Sequence, residues 1–214
     1  WFFTQRAWPR MEIPRDQWRA AQLQAQTLKA GERDVIPVWT PRGPDNIGGR
    51  ITCLAVDPRD QDVVLAGAAE GGVMRSTNGG QAWQLTGDDL PSMAVGALVM
   101  DPTDPDIVYL GTGEVNPGGG SVAYGGTGVY RSTDNGQSWS PLGLEDVGSI
   151  GRMVVDPTDP QRIVVAAMGH LWQAGPDRGV YRTQDGGATW ERVLHVGDTV
   201  GCVDLILRPD APGT

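Results

Sequence analysis

The chain has 214 residues, a formal charge of -9, 31 glycines, 16 prolines and 8 tryptophans against 2 phenylalanines. Length allows one large domain or two small ones, and a turn-rich, Trp-rich composition points to a β-rich fold rather than to disorder. No apolar run approaches the roughly 18 residues a membrane-spanning helix needs. Residues 35–214 carry 11 basic and 22 acidic groups, against 6 and 4 over residues 1–34. That acidity argues against a nucleic-acid partner, since phosphate binding needs a basic face.

Residues 1–34 read as an N-terminal extension. Pro14 suits the first turn of a helix and Gly31 its end, so a helix is expected near 15–30, with Trp18, Ala21, Ala25 and Leu28 on one face. Trp1, Phe2, Phe3 and Trp8 are either core or an anchor on a partner or membrane surface. The chain does not start with Met, so Trp1 is expected to be a processed or trimmed start.

From residue 35 onward the chain repeats itself. ITCLAVDP (51–58), VGALVMDP (95–102) and IGRMVVDP (150–157) are apolar runs that end in Asp-Pro. After a short turn come VVLAGAA (63–69), IVYLGTG (107–113) and IVVAAMG (163–169), and after a variable loop GVMRST (72–77), GVYRST (128–133) and GVYRTQ (179–184). A tight Gly turn then leads to QAWQLTG, QSWSPLG and ATWERVL. Each unit reads as four short strands, here A to D. Four strands recurring every 44 to 56 residues, the spacings from Asp57 to Asp101 and from Trp83 to Trp139, predict an all-β propeller of four-stranded antiparallel blades.

The expected boundaries are 49–90, 93–143 and 149–197 for three blades. VWTPRG (38–43) resembles SWSPLG (138–143), so 35–41 is expected to be a closing strand with Trp39 as its blade Trp. VGCVDLILRP (200–209) resembles another strand A, which makes 200–214 the start of a fourth blade. This portion, 35–214, amounts to about half a ring, so the native protein is expected to be longer. Cys53 and Cys202 fall in different repeats; no disulfide is expected, and two cysteines are too few for a zinc site.

The turn before strand D is the most regular feature. Ser132, Asp134, Gly136, Ser138 and Trp139 recur as Thr183, Asp185, Gly187, Thr189 and Trp190. The first copy, Ser76, Asn78, Gly80 and Trp83, has Asn for Asp and Ala82 for the hydroxyl residue. Gly supplies the positive φ a hairpin needs, and the Asp or Asn oxygen accepts backbone bonds across the turn. Trp is expected two to three residues into strand D, filling the gap between blades.

This pattern resembles the Asp-box, or BNR, repeat. With GPDNIGGR (43–50) and GHLWQAGPDRGVYRTQDGGATW (169–190), the chain is similar to a sortilin-like, glycosyl-hydrolase-like group of bacterial BNR propellers, usually exported. The resemblance implies an extracytoplasmic location and structural, not ligand-binding, box residues. It leaves function open, because such propellers include sialidases, xyloglucan-cleaving glycosidases, sortilin receptors and photosystem assembly factors.

Chemistry is harder to find. A glycosidase needs two carboxylates across a cleft; Asp45, Glu70, Glu114 and Asp204 lie near strand ends, yet each reads as a turn or surface group. Arg50 and Arg152 lie near inner strands, but a sialidase needs a third arginine. His170 and His195 have no nucleophile at a suggestive spacing. No cofactor or metal is expected, and the Asp-Pro turns read as turn chemistry rather than calcium loops. The B–C loops differ most between blades, and Glu114–Thr127 and His170–Arg178 are expanded. Binding is expected there, on the face opposite the Gly turns, through Glu114, Asn116, Tyr124, His170, Trp172 and Asp177. The expectation is a non-catalytic scaffold or accessory subunit for protein partners in a larger, membrane-associated complex. The alternatives are a xyloglucanase-like or sialidase-like hydrolase, with carbohydrate as the ligand, and an assembly factor.

Overall fold

A computed structural model describes residues 16–17, 19–21, 23–24, 27, 49–116 and 125–208. The chain divides into two units, 1–48 and 49–214. In the first, the described residues between 16 and 27 are helical, and Thr27 Oγ1 donates to Leu23 O at 3.0 Å. The expected closing strand 35–41, with Trp39, lies outside the described residues, as do Asp45 and Tyr124.

The second unit holds three four-stranded antiparallel sheets among the described residues. The first is β1 (Ile51–Val56), β2 (Val63–Ala68), β3 (Val73–Thr77) and β4 (Gln84–Leu85). The second is β5 (Val95–Met100), β6 (Val108–Thr112), β7 (Val129–Ser132) and β8 (Ser140–Gly143). The third is β9 (Ser149–Asp156), β10 (Asp159–Gly169), β11 (Gly179–Thr183) and β12 (Glu191–Leu194). Each sheet pairs its strands in chain order, A to D, as expected. The strand-A members β1, β5 and β9 also neighbour one another, which makes them the inner strands. Residues 201–208 form no assigned strand. Cys202 N nonetheless donates to Ala167 O at 3.1 Å, and Arg152 Nε donates to Asp204 Oδ1 at 2.7 Å.

The β9–β10 connection is tighter than the sequence suggests. Asp159 already pairs with Asp156, so β10 begins inside the Thr-Asp-Pro-Gln turn. The three Asp-Pro carboxylates cap their own turns. Asp57 accepts from Arg59 N (2.8 Å), Asp101 from Thr103 N (2.8 Å) and Asp156 from Thr158 N (2.8 Å). Such local side-chain bonds stabilise the turn that ends strand A.

Two apolar clusters lie between the sheets. Leu65, Val73, Val95, Val108, Leu110 and Tyr130 fill the space between the first and second sheets; Tyr109, Val129, Ile150, Met153, Ile163 and Val165 fill that between the second and third. At about 1.5–3 kcal/mol per fully buried aliphatic side chain, blade-on-blade packing dominates the stability of this unit. Trp139 packs on the first cluster and Trp190 on the second, where Nε1 donates to Leu142 O at 3.1 Å. The tryptophans do not lie within strand D as expected. Trp83, Trp139 and Trp190 each directly precede it, because the turn must close before the ring can tuck under the preceding blade. Trp83 has no preceding blade among the described residues and is 43% exposed.

Candidate functional site

The Gly turns are built from within. Ser132 Oγ accepts from Gly136 N (2.8 Å) and donates to Asp134 Oδ1 (2.7 Å), while Asp134 Oδ1 accepts from Gln137 N and Ser138 N, both at 2.9 Å. Asp185 repeats this with Thr183 Oγ1 (2.6 Å), Thr189 N (2.9 Å) and Thr189 Oγ1 (2.6 Å). In the first copy Asn78 Oδ1 accepts from Ser76 Oγ (3.0 Å) and Ala82 N (2.9 Å), so asparagine forms the same turn. Burial works against the ionised form of Asp134, but the bonds from Ser138, Ser132 and Gln137 prevail and hold its pKa at about 2. Every polar atom named here is spent on the turn, which leaves these residues little capacity for a ligand.

On the same face, blades one and two are tied together. Asn135 Nδ2 donates to Asp57 Oδ2 (2.8 Å) and Pro105 O (3.0 Å), and Arg75 Nη2 donates to Asn135 Oδ1 (3.1 Å). Arg59 Nη2 bridges Asp57 (2.8 Å) and Asp106 (2.6 Å). Its hydrogen bonds lower the Asp57 pKa to about 2 against the opposing effect of burial. These groups line an open polar hollow with Asp60 and Gln137. They already satisfy one another, so the hollow is a structural latch.

The opposite face carries the expanded B–C loops. Glu114, expected on a loop surface, is instead 1% exposed. Its Oε2 lies 2.8 Å from Arg50 Nη1, and its Oε1 accepts from Asn116 N at 2.6 Å. The arginine also donates to Asn116 O at 3.1 Å. The correction is to its exposure: Glu114 is a buried carboxylate at the root of its loop, with Arg50 beside it to offset the cost of burying the charge. Asn116 itself is exposed.

Loop 170–178 is pinned from several sides. His170 Nε2 contacts Asp146 O (3.1 Å), Gly175 N donates to Asp198 O (2.9 Å), Tyr181 Oη donates to Asp177 O (3.2 Å), and Arg192 donates to Pro176 O. Trp172 is the large apolar side chain of this loop that stands exposed, 51% accessible on this fixed base. The roots of the two loops are neighbours: a Cβ on Gly148 would stand 2.8 Å from His170 N, and one on Gly113 2.6 Å from Ser149 Cα, so the 145–149 turn lies between them. Thus Glu114 and Asn116 are brought together through Arg50. His170, Trp172 and Asp177 share the adjacent loop.

Of the carboxylates near strand ends, Glu114 lies against Arg50, and Asp204 pairs with Arg152, whose hydrogen bond lowers the Asp204 pKa. Glu70 is exposed in a tight turn. No acid paired across a cleft with a second carboxylate is formed by these groups. No group of three or more His, Cys, Asp or Glu positioned for a metal occurs among the described residues. Arg178 escaped the sequence as a candidate, and Arg50, weighed there only as a sialidase arginine, was not recognised as the partner of Glu114. The available signal for Arg178 was its place before Gly-Val, where the other blades have Gly71 and Thr127.

Residues 71–202 match the family model of Sortilin-Vps10, described as sortilin, neurotensin receptor 3. The chain belongs to this family. It is also similar to two xyloglucanases. One, from Paenibacillus sp, is 31% identical over 189 residues, covering 72% of this chain and 16% of the relative. The other, from Acetivibrio thermocellus, is 27% identical over 177 residues, covering 67% of this chain and 20% of the relative. The crystal structure of an ancestral GH74 enzyme superimposes with a TM-score of 0.57 at 26% identity, over 73% of this chain and 19% of that one. The chain therefore spans about a fifth or less of the length of these relatives.

Proposed function

We propose that this family member is a xyloglucan-directed propeller whose B–C rim contacts the polysaccharide. The observation that carries this reading is Trp172, a half-exposed indole on a loop whose backbone is fixed at both ends. An indole face offers apolar, polarisable surface to the C–H face of a β-glucan sugar, while Asn116 and the polar rim offer hydrogen bonds to hydroxyls. Similarity to xyloglucanases favours this ligand over a protein partner, and so favours a glycoside hydrolase over the expected non-catalytic scaffold. The contribution of these residues is substrate contact, since Glu114 and Asp204 are both committed to arginines. An extracytoplasmic location fits a polymeric plant-wall substrate and belongs to the same proposal.

The test is a screen of the protein against xyloglucan, mixed-linkage β-glucan and sialosides, scoring both binding and release of reducing ends. Xyloglucan is expected to bind, with turnover marking a hydrolase and retention without turnover a binding module. Absence of binding to any glucan, with stable capture of a protein partner, would return the scaffold to first place.

A further inference from the structure

Arg178 is 5% exposed, and its guanidinium is held by carbonyls rather than by a carboxylate among the described residues. Nη1 donates to Met168 O (2.5 Å), and Nη2 donates to His170 O (2.5 Å) and Gln173 O (3.0 Å). Nε is buried without a partner among the described residues. Burying a cation this way is expensive, and an apolar side chain would fill the space at lower cost. A planar fork does something an apolar group cannot: it draws three carbonyls to one point. Those carbonyls bracket Trp172, two on one side at Met168 and His170 and one on the other at Gln173.

The backbone is shaped to admit the fork. Gly169 has φ +80°, and a Cβ there would stand 2.5 Å from Arg178 Cγ, so any other residue would displace the arginine stem. Arg178 O in turn contacts His195 Nδ1 at 3.1 Å, tying the clamp to the next connection. The other two blades have Gly71 and Thr127 at this position and no loop tryptophan.

We infer that Arg178 is a positioning residue that holds Trp172 as a rigid platform for a glucan ring. This rests on the proposed sugar-binding rim and adds to it how affinity is obtained: the loop is ordered before the ligand arrives, so ordering entropy is not lost on binding. The experiment compares Arg178→Met, Arg178→Lys, Trp172→Ala and the double variant Trp172→Ala/Arg178→Met. Affinity for xyloglucan oligosaccharides is measured by calorimetry and amide exchange of residues 169–178 by mass spectrometry. Arg178→Met is expected to weaken binding more than about fivefold, the scale of a significant interface contact. Loop amides should exchange faster while those of β9 are unchanged. Arg178→Lys, which keeps the charge but loses the fork, should lie between, and the double variant should bind no worse than Trp172→Ala. If Arg178→Met does not fold, the lysine variant carries both readouts.

Unchanged loop exchange in a folded variant, or losses that multiply in the double variant, would overturn the inference. Should Trp172→Ala bind xyloglucan like the wild type while Arg178→Met still loosens the loop, the positioning role stands and the sugar-binding rim fails.

Discussion

Asn135 offers the sharpest test of how the blades are held together. It sits at φ +57°, in the left-handed region, where blades one and three have Gly79 and Gly186. Its side chain takes part in the bonds to Asp57, Pro105 and Arg75, while its backbone N donates to Asp106 O at 2.8 Å and its backbone O accepts from Arg75 Nε at 2.9 Å. Asn135→Gly keeps the backbone bonds and removes strain, but deletes the side-chain bonds to these three residues. At about 0.5–1.5 kcal/mol for the neutral partner and about 1.5–3 for each charged one, offset by about 1–2 kcal/mol of relief at φ, the expected loss is roughly 2–6 kcal/mol. Asn135→Ala loses the same bonds and places a Cβ in the left-handed region, which adds about 1–2 kcal/mol. The order of stability is therefore wild type, then glycine, then alanine. Urea unfolding followed by tryptophan fluorescence, with equal m-values, measures it. An alanine variant as stable as the glycine variant, or a glycine variant within about 0.5 kcal/mol of wild type, would refute the latch.

Trp190→Ala should cost about 3–4 kcal/mol through lost packing on the second cluster, whereas Trp83→Ala, at an exposed site, should cost under about 1 kcal/mol; equal losses in chemical denaturation would contradict the packing scheme. Asp134→Ala removes acceptors from one tight turn and should destabilise by about 1–3 kcal/mol, with xyloglucan affinity retained in the folded fraction; loss of affinity without loss of stability would make the turn a ligand site. Asp57 and Asp134 both titrate at about 2 when folded, below the ordinary value near 4. Their contribution is thus complete above about pH 4 and is lost as pH falls from about 4 towards 2. Melting temperature across that window should fall, and the paired Asn substitutions should flatten the fall; a rise on acidification would contradict the assignment.

Much of this fold is legible in the sequence because its information is local. Strand alternation, Asp-Pro stops and the Gly turns each act within a few residues, so the strands fall near where the repeats put them, except that β10 starts inside the expected turn. What escapes is what neighbouring blades do to one another. Nothing around Glu114 in the chain shows that Arg50, 64 positions earlier (50 to 114), reaches it. Asn135 looks like a tolerated substitute for a turn glycine until Asp57 and Arg75 of the previous blade are seen to hold it. The offset of the tryptophans from strand D is likewise set by the depth of the gap they fill. Trp172 was readable as an unrepeated aromatic in a variable loop. Arg178 was not, because a single arginine before a strand is common and its meaning lies in the three carbonyls it gathers.

The central claim, that the B–C rim binds a glucan through Trp172, is tested most directly by calorimetric titration of xyloglucan oligosaccharide into wild type and Trp172→Ala. Saturable binding that weakens more than about fivefold in the variant, with the melting temperature unchanged, is the predicted result. Wild-type affinity in Trp172→Ala, or no heat of binding in either protein, would contradict it.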